Sequence, residues 1–175
     1  MVVVPRRTAF FAAIVLVWAL LPAAAGHAAT RDREIVAFSG FAPGTIVVKT
    51  GERRLYFVLD AQRALRYPVG VGRKGKTWTG SARVDGKFVR PAWSPPEEIR
   101  RDKPNLPPVI AGGAANNPMG EAALTLRGGE YAIHGTNKPQ SIGGFVSYGC
   151  IRMYNHDIRE LYRLVEVGTP VIVAR

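Results

Sequence analysis

The apolar and polar positions of this chain fall mostly into short alternating runs. Thr45-Ile46-Val47-Val48-Lys49-Thr50 is β-branched and is closed by Gly51-Glu52. Arg53–Leu59 then alternates, with Leu55, Phe57 and Leu59 on one face, and Asp60–Arg63 turns the chain into Ala64–Val71. Alternation with a period of two, punctuated by turn residues, predicts a meander of antiparallel strands. Ser81–Val84 and Lys87–Trp93 flank Asp85-Gly86, a pair that accepts the positive φ of a two-residue hairpin turn. Ala122–Leu126 and Tyr131–His134 are two more predicted strands around Gly128-Gly129. A last strand, Val171–Ala174, follows the turn Gly168-Thr169-Pro170.

Helical signals are few. Ser94-Pro95-Pro96-Glu97-Glu98 reads as a helix start, with Ser94 as cap, Pro in the first turn and acids at the positive end of the dipole. Pro104 and Pro107-Pro108 keep it short. Asn155 is the expected cap of a second helix reaching about Val165, with Ile158, Leu161, Tyr162 and Val165 on one face. Thr30–Pro43 has no period and reads as a linker. Val109–Gly120 and Gly135–Tyr148 read as loops, and loops as long as the second commonly carry function. The pattern predicts one mainly-β domain with two short helices and no internal repeat.

The start of the chain has a different pattern. Arg6-Arg7 precedes an apolar run, Thr8–Leu21, which Pro22 and the small residues Ala23, Ala24, Ala25 and Gly26 close. That order is a secretory signal with an A-x-A cleavage site. The run is shorter than the ~20 residues that span a bilayer as a helix. An uncleaved N-terminal anchor is the competing reading. The expected division is a signal over 1–28, a linker over 29–43 and a folded domain over 44–175, with the mature protein exported to the periplasm or cell envelope.

Composition adds partners to this picture. The formal charge is +11, of which Arg6 and Arg7 hold two, so the rest carries +9. Such a surplus favours anionic partners. The Lys and Arg residues are scattered and do not interleave with aromatics, which argues against nucleic acid. An anionic cell-wall polymer satisfies the same electrostatics.

The chemistry centres on the one cysteine, Cys150. A lone Cys in an exported chain cannot form an internal disulfide, so it is a buried apolar residue, an intermolecular bridge or a reactive thiol. Gly149 precedes it and permits a backbone conformation closed to other residues. Converging N–H groups in such a turn favour a thiolate and suit an oxyanion. His134 ends a predicted strand, and a Cys–His pair separated by a glycine-rich loop fits nucleophilic catalysis. A zinc site from His134, Cys150 and His156 lacks the compact paired spacings of such sites.

His134-Gly135-Thr136, a gap of about a dozen residues, and Ser147-Tyr148-Gly149-Cys150-Ile151-Arg152-Met153 closely resemble the signature of the L,D-transpeptidase catalytic domain, also called YkuD-type. Asn117-Pro118-Met119-Gly120 resembles a turn that precedes it there, and Ile46-Val47-Val48 with Leu55-Tyr56 is similar to the opening of that domain. The resemblance spans Gly44 to Ala174. It implies an L,D-transpeptidase-like β-sandwich or barrel with short peripheral helices, and chemistry that uses no cofactor and no metal. It implies Cys150 as nucleophile, His134 as base and the Gly135 carbonyl as the group that orients the imidazole. It implies an oxyanion hole from the N–H groups of Tyr148, Gly149 and Cys150, with Arg152 and Ser147 binding substrate. Tyr148 stands where many members carry His, which leaves His134 as the base.

The implied activity acts on the tetrapeptide stems of peptidoglycan, releasing D-Ala and passing the acyl group to an amine of another stem or of an outer-membrane lipoprotein. Carboxypeptidase or amidase-like hydrolysis on the same fold, and a non-catalytic wall-binding module, are the alternatives. Intact Cys150, His134 and Arg152 argue against the last.

Overall fold

A computed structural model describes residues 34–128 and 131–175. The expected signal over 1–28, the first residues of the expected linker and Gly129 lie outside them. The meander is present: β2 (Ile46–Lys49), β3 (Arg54–Val58) and β4 (Arg63–Pro68) pair antiparallel in sequence order. The expected linker carries a strand of its own, β1 (Glu34–Ala37), antiparallel to β4. Three of its four residues are exposed, so it shows no alternation to detect.

β1 and the residues after it explain why Ile46-Val47-Val48 is continuously apolar. Ile46 and Val48 face the main core with Leu55, Phe57 and Tyr67. Val47 faces the other side with Tyr56, Val58 and Ala64, where Val36, Phe38 and Phe41 cover them. Phe38 stacks on Tyr56 with ring centroids 4.3 Å apart. A strand covered on both faces reads as an unbroken apolar run.

The remaining strands are β5 (Val71–Gly72), β6 (Gly80–Val89), β7 (Ala122–Leu126), β8 (Ala132–His134), β9 (Phe145–Ser147), β10 (Ile151–Arg152) and β11 (Pro170–Ala174). Nine strands form one sheet in the order β1-β4-β3-β2-β11-β6-β7-β8-β10, while β5 and β9 pair separately. The sheet ends at β1 and β10 and is not closed, which corrects the barrel half of the expectation. β11 lies parallel to β2 and antiparallel to β6.

Asp85-Gly86 is not a hairpin turn. It lies inside the ten-residue β6, and the register against β7 shifts between Val84 and Gly86. The extra residue makes a bulge, which bends the strand. β6 uses its first half to pair β11 and its second half to pair β7. The local signal was real, but both neighbouring strands reward continuing through it.

Both helices occur with different caps. α1 (Glu97–Asp102) has Pro96 at its N-cap position and no side-chain cap, so Ser94 does not serve there. α2 (Asn155–Leu164) begins at Asn155, with Tyr154 at the cap position. Ile158, Leu161 and Val165 are buried in the main core with Leu124 of β7 and Ile133 of β8, and Tyr162 packs at its margin. That packing holds β8 against α2 and sets the position of the strand end that carries His134.

Candidate active site

Cys150 sits between β9 and β10, in a turn fixed by its own neighbours. The Ser147 hydroxyl donates to the Cys150 carbonyl at 2.6 Å, and its oxygen accepts the Gly149 N–H at 3.1 Å. Ser147 is buried and lines the cavity described below, and these two bonds hold its hydroxyl in the turn. The Gly149 N–H likewise points at Ser147, which narrows the expected oxyanion donors to Tyr148 and Cys150. Gly149 has φ +126°, and a Cβ there would lie 2.2 Å from Cε1 of Tyr131. Only glycine fits both the conformation and the space.

His134 is the last residue of β8. Parallel pairing of β8 with β10 sets Ile133 beside Ile151 and His134 beside Arg152. The imidazole is 4% exposed, and its Nδ1 lies 2.7 Å from the Gly135 carbonyl. A carbonyl can only accept, so the neutral ring carries its proton on Nδ1 and keeps the lone pair on Nε2. Burial, with a smaller effect from the Arg152 charge, pushes the His134 pKa down to about 4. The Gly135 and Pro118 carbonyls oppose that shift without reversing it. His134 is therefore neutral at physiological pH, in the form that accepts a proton.

Two segments keep this arrangement in place. Asn117 is buried, donates to the Pro91 and Ala111 carbonyls at 2.9 Å each, and accepts the Met119 N–H at 2.8 Å. That turn presents Pro118 to the imidazole. Asn155, free of capping duty, accepts from the Thr136 and Glu121 N–H groups at 3.0 and 3.2 Å and donates to the Thr136 carbonyl at 3.0 Å. It ties the start of α2 to the residues just after His134.

Cys150, His134 and Arg152 line one cavity of about 270 Å³. Arg152 is half-buried, and its guanidinium forms no ion pair with a carboxylate among the described residues. Its Nε is buried without a hydrogen-bond partner. Burial lowers the Arg152 pKa, opposed by the nearby Cys150. A guanidinium left this way, beside a thiol, is a ready receptor for a carboxylate.

Cys150 also borders a second cavity of about 410 Å³ on the side of Lys76 and Glu98. Tyr148 lines both cavities, and its ring is held by two further side chains. Its hydroxyl donates to Asp102 of α1 at 2.6 Å, while Arg73 stacks on the ring at 3.9 Å and pairs with Asp102 at 3.0 Å. The hydrogen bond from Tyr148, then Arg73, holds the Asp102 carboxyl below its ordinary range. His156 plays no part here: it stacks on Tyr154 and contacts Asp157 at 3.1 Å. Among the described residues no three His, Cys, Asp or Glu side chains are grouped to hold a metal.

Sequence patterns did not single out Asp102, Trp78, Tyr131 or Asn155 as parts of this site. Each reaches it through contacts far apart in the chain, such as the 71 residues between Trp78 and Gly149. Only Asn155 had a signal, and the cap reading absorbed it.

Comparison with known proteins accords with this geometry. The chain is 40% identical over 135 residues to the "Probable L,D-transpeptidase YbiS" of Escherichia coli strain K12, covering 72% of this chain and 43% of that protein. It thus spans less than half the length of that relative. An L,D-transpeptidase from Mycobacterium smegmatis has the same fold, with TM-score 0.60 and 19% identity over 75% of this chain and 58% of that one. So does a Brucella melitensis chain described as a probable carnitine operon oxidoreductase, with TM-score 0.55 and 36% identity over 80% of this chain and 91% of that one. A relative's name and its architecture are separate matters. The profile of the L,D-transpeptidase catalytic domain, YkuD, matches residues 43–173, and the chain belongs to that family.

Proposed function

We propose that this domain is a cysteine acyltransferase acting on peptidoglycan stems, an L,D-transpeptidase. The observation that carries the reading is the shared cavity. It holds a thiol, an imidazole kept neutral with Nε2 unprotonated, and a guanidinium with no acid paired to it among the described residues.

The steps follow from those groups. His134 Nε2 takes the Cys150 proton, and the sulfur attacks the carbonyl between the L-centre of the third stem residue and D-Ala. The Tyr148 and Cys150 N–H groups stabilise the oxyanion. Collapse breaks the peptide bond, the imidazolium returns its proton to the departing D-Ala amine, and a thioester remains on Cys150. An acceptor amine then attacks the thioester and gives its proton through His134 back to the cysteine sulfur. Arg152 holds a substrate carboxylate throughout. Two adjoining cavities border Cys150, and a donor stem and an acceptor can occupy one each. The acceptor is the amine of a second stem or of an outer-membrane lipoprotein. The positive charge of the chain and the signal-like order of its first residues accord with export to the cell envelope.

The test is to mix purified protein with a disaccharide-tetrapeptide ending in D-Ala and follow the products by mass. Transfer predicts loss of D-Ala and a dimer joined between two third-position residues, together with exchange of D-Ala for an added D-amino acid. Free tripeptide alone would make the protein a carboxypeptidase. No turnover and an unreactive Cys150 would leave a binding module.

A further inference from the structure

The Gly149–Cys150 peptide is gripped by two aromatic residues, Trp78 and Tyr131. Trp78 Nε1–H donates to the Gly149 carbonyl at 3.0 Å. Trp78 itself is stacked on Tyr131, with centroids 5.1 Å apart and planes 6° from parallel. The Tyr131 ring also lies against Gly149, as close as a missing Cβ allows. The peptide is thus held at one edge by a hydrogen bond and on one side by a ring.

A trans peptide is planar, so the carbonyl of Gly149 and the N–H of Cys150 point in opposite directions in one plane. Fixing one fixes the other. We propose that Trp78 is a positioning residue that aims the Cys150 N–H at the oxyanion formed when Cys150 is acylated. This rests on the reading of Cys150 as an acylated nucleophile. A donor on the carbonyl also polarises the peptide and strengthens its N–H as a donor. The role of Ser147 makes the assignment more demanding. The Gly149 N–H is spent on Ser147, so the Cys150 peptide carries more of the work. Tyr131 completes the device, because its stack keeps the indole edge-on to the carbonyl.

Two reactions of the same sulfur separate this role from general support of the site. Acetylation by p-nitrophenyl acetate passes through a tetrahedral oxyanion. Alkylation by iodoacetamide is displacement at a saturated carbon and forms none. Trp78→Phe keeps a ring on Tyr131 and deletes the N–H. The expected result is an acetylation rate on Cys150 lowered about tenfold or more, a fraction of the 10²–10³ lost when an oxyanion donor is removed outright. Alkylation should stay within about twofold of wild type across the pH profile, because it develops no oxyanion for the N–H to stabilise. Equal losses in both reactions, or no loss in either, would overturn the proposal. If Trp78→Phe lowers the melting temperature or loses its near-ultraviolet circular dichroism, benzothienylalanine at position 78 replaces only the N–H with sulfur, and the same criterion decides. A wild-type protein that is alkylated but never acetylated overturns the acyl-enzyme reading, and this proposal with it. That failure is visible before any variant is made.

Discussion

His134 makes stability depend on pH in a way that can be worked out. Its folded pKa is about 4 against an ordinary 6.5. Above about pH 6.5 both folded and unfolded imidazoles are neutral, and the site costs nothing. As pH falls, the unfolded chain takes up a proton that the buried ring refuses, so unfolding gains ground. The loss is complete once pH drops through the folded value near 4. At about 1.4 kcal/mol per pH unit, the gap amounts to about 3–4 kcal/mol in full, most of it already lost at pH ~4.5. Carboxylates add their own slope, so the measurement is a difference. Urea denaturation at pH ~7.5 and ~4.5 should be run on wild type and on His134→Gln, which cannot titrate. Wild type should lose about 2–3 kcal/mol more than the variant between the two conditions. Equal losses would mean that burial does not depress the imidazole, whose pKa would then lie near the ordinary 6.5.

Arg152→Ala should lower kcat/KM for D-Ala release by about ten- to 150-fold, the range of a lost charged hydrogen bond, with Arg152→Lys recovering part of it. If activity per folded molecule stays normal while the melting temperature falls, Arg152 is structural. Gly149→Ala should cost at least the ~1–3 kcal/mol of a strained backbone and abolish acylation, since its Cβ would enter the Tyr131 ring; a normal melting temperature would refute the close-contact argument. Alkylation of Cys150 against pH should give an apparent thiol pKa below ~8.5, and a thiol that reacts only after unfolding would contradict it. Protein recovered from the cell envelope should begin near Gly26 or Ala29 on N-terminal sequencing, whereas a full-length membrane form would favour an anchor.

The parts of the fold legible in the sequence are those whose own side chains determine them. β2, β3 and β4 show their burial as β-branched and alternating runs, and α2 shows its buried stripe at Ile158, Leu161 and Val165. β1 was not legible, because an exposed edge strand needs only its backbone to pair. Asp85-Gly86 misled because a local turn signal was outweighed by pairing to β7 and β11, neither of which adjoins it in sequence. The same division holds at the site. His134, Cys150 and Arg152 lie in compact motifs, so a short stretch of chain displays them. Trp78 and Asp102 act across 71 and 46 residues on Gly149 and Tyr148. Nothing local to either distinguishes a positioning contact from an ordinary loop aromatic or a helix-end acid.

The place of β11 in the sheet has a consequence for how the chain is made. The strand fills the gap between β2 and β6, parallel to one and antiparallel to the other. Until Pro170–Ala174 has been synthesised, β2 and β6 each keep an unpaired edge, and Val171 and Val173 are missing from the core. An N-terminal intermediate can form the β2–β4 meander but lacks the strand that joins it, within the main sheet, to β6 and β7. Completion waits on the most distant pairing in the chain, a slow kind of closure. The nine-stranded sheet is therefore completed late, by the last strand of the domain.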